Sequence, residues 1–353
     1  MPDAYLALET GDVVEARTRA PGTAQGELVF TTAYTGYEES LTDPSYEAQV
    51  LTFAYPLIGN YGVREERFED DRVHPSAVVA RELTDDVADW LTAEGVPAVD
   101  HVDTRDLVLD IRDRGAMKVG IAAGPDATPE DAKAELDTCP HMSDIADIGA
   151  QVSVDEPVHY EGSGPSVALV DCGAKGSIVD SLTARDADVT VLPYDATPED
   201  VEEVDPDVLF ISNGPGDPAN FEAAEGLVEE YVGTLPLAGI CLGQQVIARA
   251  LGGSTEKMAF GHRGVNQPVR DLRTDKVVMT TQNHGYTVAD PGDLDVTQVN
   301  VNDDTPEGLD SADLDVITRQ YHPEANPGPH DSLDFFDDVV DLANPDHEIA
   351  TAD

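Results

Sequence analysis

From Ser166 onward the chain alternates short apolar runs with longer stretches of helical period. Ser166–Asp171, Val189–Pro193, Val208–Ser212 and the run ending at Ile240 each read as strands. Short aliphatic, β-branched runs bounded by turn formers suit a buried strand. Helical patterns fill the gaps at Gly176–Arg185, Pro198–Val204 and Asn220–Val232, and another runs on from Leu242 to stop at Gly252-Gly253. This strand-helix order predicts a mostly parallel sheet with helices on both faces. In such a sheet, sites gather at the carboxyl ends of the strands. Lys276–Gln282, Leu294–Val299 and Asp315–Tyr321 read as further strands.

The first 150 residues carry a weaker pattern. Leu28–Thr32, Gln49–Phe53 and Val78–Ala80 read as strands and Asp85–Glu94 as a helix. They predict a smaller mixed α/β domain, with a small sandwich as one arrangement. Gly36–Tyr46 is a loop dense in turn formers and hydroxyls. Val154–Pro165 is rich in Gly, Pro and acids and marks a break. The expected organisation is a first domain over residues 1–150, a linker over 151–165 and an α/β domain over 166–353. No internal repeat is visible.

A length of 353 residues with 41% hydrophobic content supports two domains with sizeable cores. No apolar run approaches the roughly 18 residues of a membrane span. The start, Met1-Pro-Asp-Ala-Tyr5, lacks a basic segment followed by an apolar one, so a cytoplasmic location is expected. Cys139, Cys172 and Cys241 form neither a disulfide framework nor, with the scattered histidines, a zinc-like spacing. No metal is expected. Charge changes the picture more. There are 71 acidic residues against 20 basic, a net charge of −51, with acids spread along the whole chain. That distribution reads as a solvated surface suited to high salt, and so to a halophilic source. It argues against nucleic-acid binding, which needs basic patches for phosphate contacts.

The candidate chemistry lies at predicted strand ends. Gly239-Ile-Cys-Leu-Gly243 joins a strand to a helix through a sharp turn, with the Cys241 thiol at the turn. It is the cysteine counterpart of a nucleophile elbow. A helix N-terminus favours the thiolate. Such a nucleophile needs an acid/base partner, an orienting group and an oxyanion hole. His322-Pro-Glu324 follows a predicted strand, and residues two apart in an extended segment share a side. Glu324 can therefore hold one ring nitrogen of His322 while the other faces Cys241. Gly214-Pro-Gly216 sits at another strand end. Taken singly, these pieces read as a core cysteine, a loop and a turn. Their placement at the ends of strands in one sheet favours the catalytic reading. Cys139 and Cys172 lack this context and read as packing residues. Gly173-Ala-Lys-Gly-Ser177 lacks the full spacing of a phosphate-binding loop.

Several segments carry a family resemblance. Ser212–Pro218, Gly239–Gln245 and His322–Glu324 resemble the class I, triad-type glutamine amidotransferases. Thr35–Tyr46, Tyr55–Gly62, Phe260–Asn266, Gln282–Tyr286 and His322–His330 narrow the resemblance to the small, glutaminase subunits of carbamoyl-phosphate synthetases, over nearly the whole chain. The resemblance implies Cys241 as nucleophile, His322 as general acid/base and Glu324 as its orienter. It implies an oxyanion hole from the backbone amides of Gly214 and Leu242. It implies L-glutamine binding by Ser45, Gly214, Gly216, Leu242, Gln245, Asn283, Gly285 and Tyr286. Gln244 stands where many relatives have His, and Tyr286 where many have Phe. Neither is a triad member, and the Tyr286 contact is expected through its backbone.

The same resemblance implies a heterodimer with a large synthetase subunit, able to form higher oligomers. That subunit would use ATP and Mg²⁺ to convert bicarbonate and the delivered ammonia to carbamoyl phosphate, for arginine and pyrimidine synthesis. No cofactor is expected in this chain. Two other readings remain: a catalytically silent regulatory or scaffold subunit, and a stand-alone γ-glutamyl hydrolase. The acidic stretch Asn344–Asp353 has no assigned role.

Overall fold

The computed structural model describes residues 2–344 and 349. Apart from Asn344 and Ile349, the acidic C-terminal stretch lies outside the described residues. The chain forms two compact units. The first runs to Ile145 and includes Ala259–Gly264. The second takes Ala146–Met258 and the chain from Val265 onward.

In the first unit seven strands close into a barrel in the order β1-β2-β8-β6-β4-β3-β9. They are β1 (Ala4–Leu8), β2 (Val13–Ala20), β3 (Gly22–Thr31), β4 (Gln49–Phe53), β6 (Ala77–Val79), β8 (Ala98–Asp100) and β9 (Met117–Ala123). The short pair β5 (Leu57–Ile58) and β7 (Glu82–Leu83) forms a separate ribbon. Helices α1 (Tyr37–Leu41), α2 (Asp85–Glu94), α3 (Thr104–Arg114) and α4 (Pro129–Thr138) complete the unit.

This is a mixed α/β unit built on a closed barrel rather than a sandwich. The reason shows in β4 and β6. Val50, Ala77 and Val79 join one buried cluster with Leu6, Leu28 and Val119. Leu51, Phe53 and Val78 join a second, with Val87 and Leu91 of α2. Both strands are buried on both faces and pair in parallel, as strands under a helical layer do. Ala259–Gly264 belongs here because Ala116 N–H donates to the Ala259 carbonyl at 2.7 Å and the Arg112 guanidinium lies over the Phe260 ring.

The second unit is built on a ten-stranded sheet. Its strands are β10 (Val158–Tyr160), β11 (Ser166–Asp171), β12 (Asp188–Pro193), β13 (Val208–Ile211), β14 (Leu237–Ile240), β15 (Ser254–Asp271), β16 (Val277–Asp290), β17 (Asp295–Asn300), β18 (Pro306–Ser311) and β19 (Val316–Arg319). The order β12-β11-β13-β14-β19 is parallel throughout. From β19 the sheet continues antiparallel through β18, β17 and β15, with β16 at the far edge. Helices α5 (Gly176–Thr183), α6 (Pro198–Val204), α7 (Glu222–Tyr231), α8 (Leu242–Ala250) and α9 (Phe335–Asp341) accompany it.

The parallel strands match the alternating pattern of the sequence. Residues 151–165, expected as a linker, group with this unit instead. Val158–Tyr160 pairs antiparallel with β12, and Val154 N–H donates to the Asp171 carboxylate at 2.8 Å. Among the described residues no helix is long and apolar enough to cross a membrane.

Candidate active site

Cys241 lies between β14 and α8 with φ 55° and ψ −104°. A non-glycine residue there is strained and persists only where its surroundings over-determine it. They do so here. The Cys241 N–H donates to the Arg319 carbonyl of β19 at 2.7 Å. A side chain on Gly243 would stand 2.1 Å from the Ile211 carbonyl oxygen, and one on Gly239 2.9 Å from the Gly243 carbonyl carbon. Both glycines are needed for α8 to approach β13 and β14 so closely. The thiol is thus fixed at the start of a nine-residue helix and is 2% exposed. Its Sγ contacts the Asn283 carbonyl at 3.8 Å.

His322 arrives from the next parallel strand. Its backbone N–H donates to the Thr281 carbonyl at 2.9 Å, which ties the segment after β19 to β16. Nδ1 is 2.6 Å from Glu324 Oε1, as the residue spacing predicted. Nε2 has no hydrogen-bond partner of normal geometry. Burial presses the His322 pKa down, but Glu324 and Cys241 outweigh it and raise it to about 10. Burial likewise pushes Glu324 up, and Lys175 and His322 more than reverse it, holding the carboxyl well below its usual range. The group is therefore a buried imidazolium on a buried carboxylate, beside the Cys241 sulfur.

Lys175 was not singled out from the sequence. It is 1% exposed, and its Nζ donates to Glu324 Oε1 at 3.1 Å and to the carbonyls of Ala325 at 2.6 Å and Asn326 at 2.9 Å. These three acceptors match the three hydrogens of an ammonium. Asp171 shapes the turn that delivers it, accepting from Gly173 N–H at 3.0 Å and Ala174 N–H at 2.7 Å, while Lys175 N–H donates to Asn213 Oδ1 at 3.2 Å. The Gly173–Ser177 segment thus serves a carboxylate within its own unit. The signal available was a lysine in the turn that follows a predicted strand, in a chain with few lysines. The neighbouring Cys172 is fully buried, and burial together with Asp171 raises its pKa well above the usual value. That makes it a poor thiolate.

The other expected residues of the second unit lie at these strand ends, on α8 or on β16. Gly214 follows β13, and a side chain there would stand 2.1 Å from the Cys172 carbonyl oxygen and 2.9 Å from Leu242 Cδ2. Gly216 has φ 86°. Leu242 opens α8. Gln245, one turn further, is 2% exposed and donates from Nε2 to the Tyr286 carbonyl at 2.8 Å and to Gln320 Oε1 at 3.0 Å. Asn283, Gly285 and Tyr286 lie on β16. Gln244 of α8 is fully buried and accepts from the Thr318 hydroxyl of β19 at 3.0 Å, so it packs the helix against the sheet. Ser45 belongs to the first unit. There it is buried in the turn Pro44–Tyr46, with its N–H donating to Asp43 at 2.9 Å.

Comparison with known proteins agrees with this geometry. The glutamine amidotransferase class-I family model matches residues 168–342. The model of the carbamoyl-phosphate synthase small chain, CPSase domain, matches residues 6–121. Among curated proteins, the carbamoyl phosphate synthase small chain of Halobacterium salinarum is 76% identical over 353 residues, covering 100% of both chains. Its counterpart in Archaeoglobus fulgidus is 45% identical, covering 96% of this chain and 98% of that one. The one in Methanocaldococcus jannaschii is 41% identical, covering 96% and 99%. On this evidence the chain belongs to the carbamoyl phosphate synthase small chain family.

Proposed function

We propose that the chain hydrolyses L-glutamine and passes the ammonia to a large synthetase subunit, which makes carbamoyl phosphate from it with bicarbonate and ATP. The observation that carries the reading is the buried row Lys175, Glu324, His322 and the Cys241 thiol on its strained turn. The Cys241 thiolate attacks the side-chain amide carbon of glutamine. Charge develops on the amide oxygen, where the N–H groups of Gly214 and Leu242 stabilise it. Each such donor contributes about 3 kcal/mol in well-studied hydrolases. His322, protonated at rest, gives its Nε2 proton to the departing nitrogen, and ammonia leaves. A water then attacks the γ-glutamyl thioester, giving its proton to His322. The C–S bond breaks and glutamate is released with the thiolate restored.

In this reading Gly216, Gln245, Asn283, Gly285 and Tyr286 hold the substrate's backbone end. ATP and Mg²⁺ work in the large subunit. The net charge of −51 supports a protein active at high salt. The test is Cys241→Ser in the two-subunit complex. Glutamine-dependent carbamoyl phosphate synthesis should vanish, while synthesis from added ammonia continues. Glutamine hydrolysis surviving in that variant would refute the assignment.

A further inference from the structure

Gln320 has no part in the triad or in the expected glutamine site, yet it is completely buried and bonded to Gln245 of that site. Its Oε1 accepts from Gln245 Nε2 at 3.0 Å, and its own Nε2 is buried without a partner. A buried amide with an unmade hydrogen bond is costly, so its retention asks for a reason.

The hydrogen-bond chemistry supplies one. The Tyr286 carbonyl can only accept, and it receives Gln245 Nε2 at 2.8 Å and His284 Nδ1 at 2.8 Å. That carbonyl fixes which end of the Gln245 amide points toward it. Gln320 Oε1 then takes the second hydrogen of the same nitrogen. With both hydrogens engaged, Gln245 has only its Oε1 left to offer, and an oxygen can only accept. Whatever substrate group meets Gln245 must be a donor.

We propose that Gln320 is a positioning residue that locks the Gln245 amide with its oxygen outward, making the site selective for a substrate with a free α-ammonium. This rests on the glutaminase reading above. Without the Gln320 acceptor, one Nε2 hydrogen is left unpaired. The Gln245 amide is then held by the Tyr286 carbonyl alone, and rotation about that single anchor presents a hydrogen, which repels an ammonium.

The test uses the two-subunit complex and compares ammonia release from glutamine and from glutaramate, the same chain without the α-ammonium. Gln320→Met keeps the volume and removes the acceptor. It should raise KM for glutamine about tenfold, leave kcat within about threefold, and narrow the preference for glutamine over glutaramate by about tenfold. Gln320→Glu keeps an acceptor toward Gln245 and should stay near the wild-type preference. Should Gln320→Met not fold, Gln320→Asn, which withdraws the acceptor by one methylene, must show the loss of preference. An unchanged preference in the acceptor-deficient variant overturns the proposal. So does equal damage from Gln320→Glu, because a packing role would not distinguish the two. A wild-type complex that releases no ammonia from glutamine overturns both readings, and that control separates their failures.

Discussion

Each unit holds one fully buried histidine 2.6 Å from a carboxylate oxygen, and the two are built for different work. In the second unit His322 pairs with Glu324 through Nδ1, and its Nε2 makes no hydrogen bond of normal geometry. In the first unit His74 is held at both ends, Nδ1 at 3.0 Å from Glu47 and Nε2 at 2.6 Å from Asp70, and Arg72 binds Glu47 at 2.8 Å. Both rings have raised pKa values. Burial, a carboxylate partner and a raised pKa therefore do not by themselves mark a catalytic histidine. The difference is the uncommitted nitrogen beside a nucleophile. His322 can move a proton, whereas His74 can only clasp. What His74 clasps is the turn Pro44–Tyr46. The Glu47–Pro75 bridge and the His74 N–H bond to the Leu41 carbonyl at 3.0 Å tie the same two segments.

The comparison breaks or stands most sharply on substitution of the two rings. His322→Asn should lower glutamine hydrolysis by about 10³- to 10⁴-fold, the scale seen when a triad member is lost. His74→Gln should leave kcat within about threefold. Steady-state ammonia release by the complex measures both, and a comparable loss in the two variants would erase the distinction.

Lys175 gives the next largest effect. Lys175→Met leaves Glu324 with His322 as its one remaining cation, and breaking a buried pair costs about 3–5 kcal/mol of stability. The rate should fall by about 10- to 100-fold, the scale of lost supporting contacts. The pH profile carries the sharper sign. His322 is raised to about 10, so as a general acid it should sustain kcat/KM until the pH rises through that region. Without Lys175 a cation that opposes the imidazolium is gone and the charge of the Glu324 carboxylate acts on His322 alone, so the alkaline limb should move to higher pH. A limb that stays in place would mean that Lys175 supports the fold alone.

The sequence revealed the site more fully than the frame around it. The parallel strands β11, β13 and β14 are buried and mostly aliphatic, so local composition and final environment agree. The elbow was readable because close packing at Gly239 and Gly243 admits no side chain. β18 was not readable. Its sequence, Pro-Glu-Gly-Leu-Asp-Ser, has the composition of a turn, yet its last five residues are buried. Its acids are accommodated by distant partners. Asp310 meets Arg319 at 2.8 Å, Arg273 at 3.2 Å and the Thr297 hydroxyl at 2.9 Å, and Glu307 accepts from Asn300 at 3.0 Å. The barrel was hidden for a related reason. Its closure depends on pairings such as β1 with β9, more than a hundred residues apart, and no local period encodes them. Lys175 was missed because its partner Glu324 comes from the far end of the chain.

The smallest effect tests the clasp itself. Burial presses His74 down, but the bonds to Asp70 and Glu47 prevail and hold it above 6.5. Below that value the ring is protonated folded or unfolded, and its full contribution to stability is present. As the pH rises through the raised folded value, the proton is lost and the contribution goes with it. Asp70 works in the opposite sense. Burial pushes it up, but His74 holds it below 3.8, so its share is present above that value and fades as acid protonates it in the fold. Asp70 is partly exposed, which makes its share the smaller of the two. The clasp therefore acts between these limits. His74→Gln should destabilise the protein by about 1–2 kcal/mol near pH 5.5, and the deficit should shrink toward alkaline pH. Denaturant unfolding of wild type and variant at about pH 5.5 and 9.5, at matched high salt, reads the difference. Because His322 is present in both proteins, its own titration cancels from that difference. A deficit that grew with pH would show that His74 is held neutral, and the two histidines would then differ in charge as well as in reach.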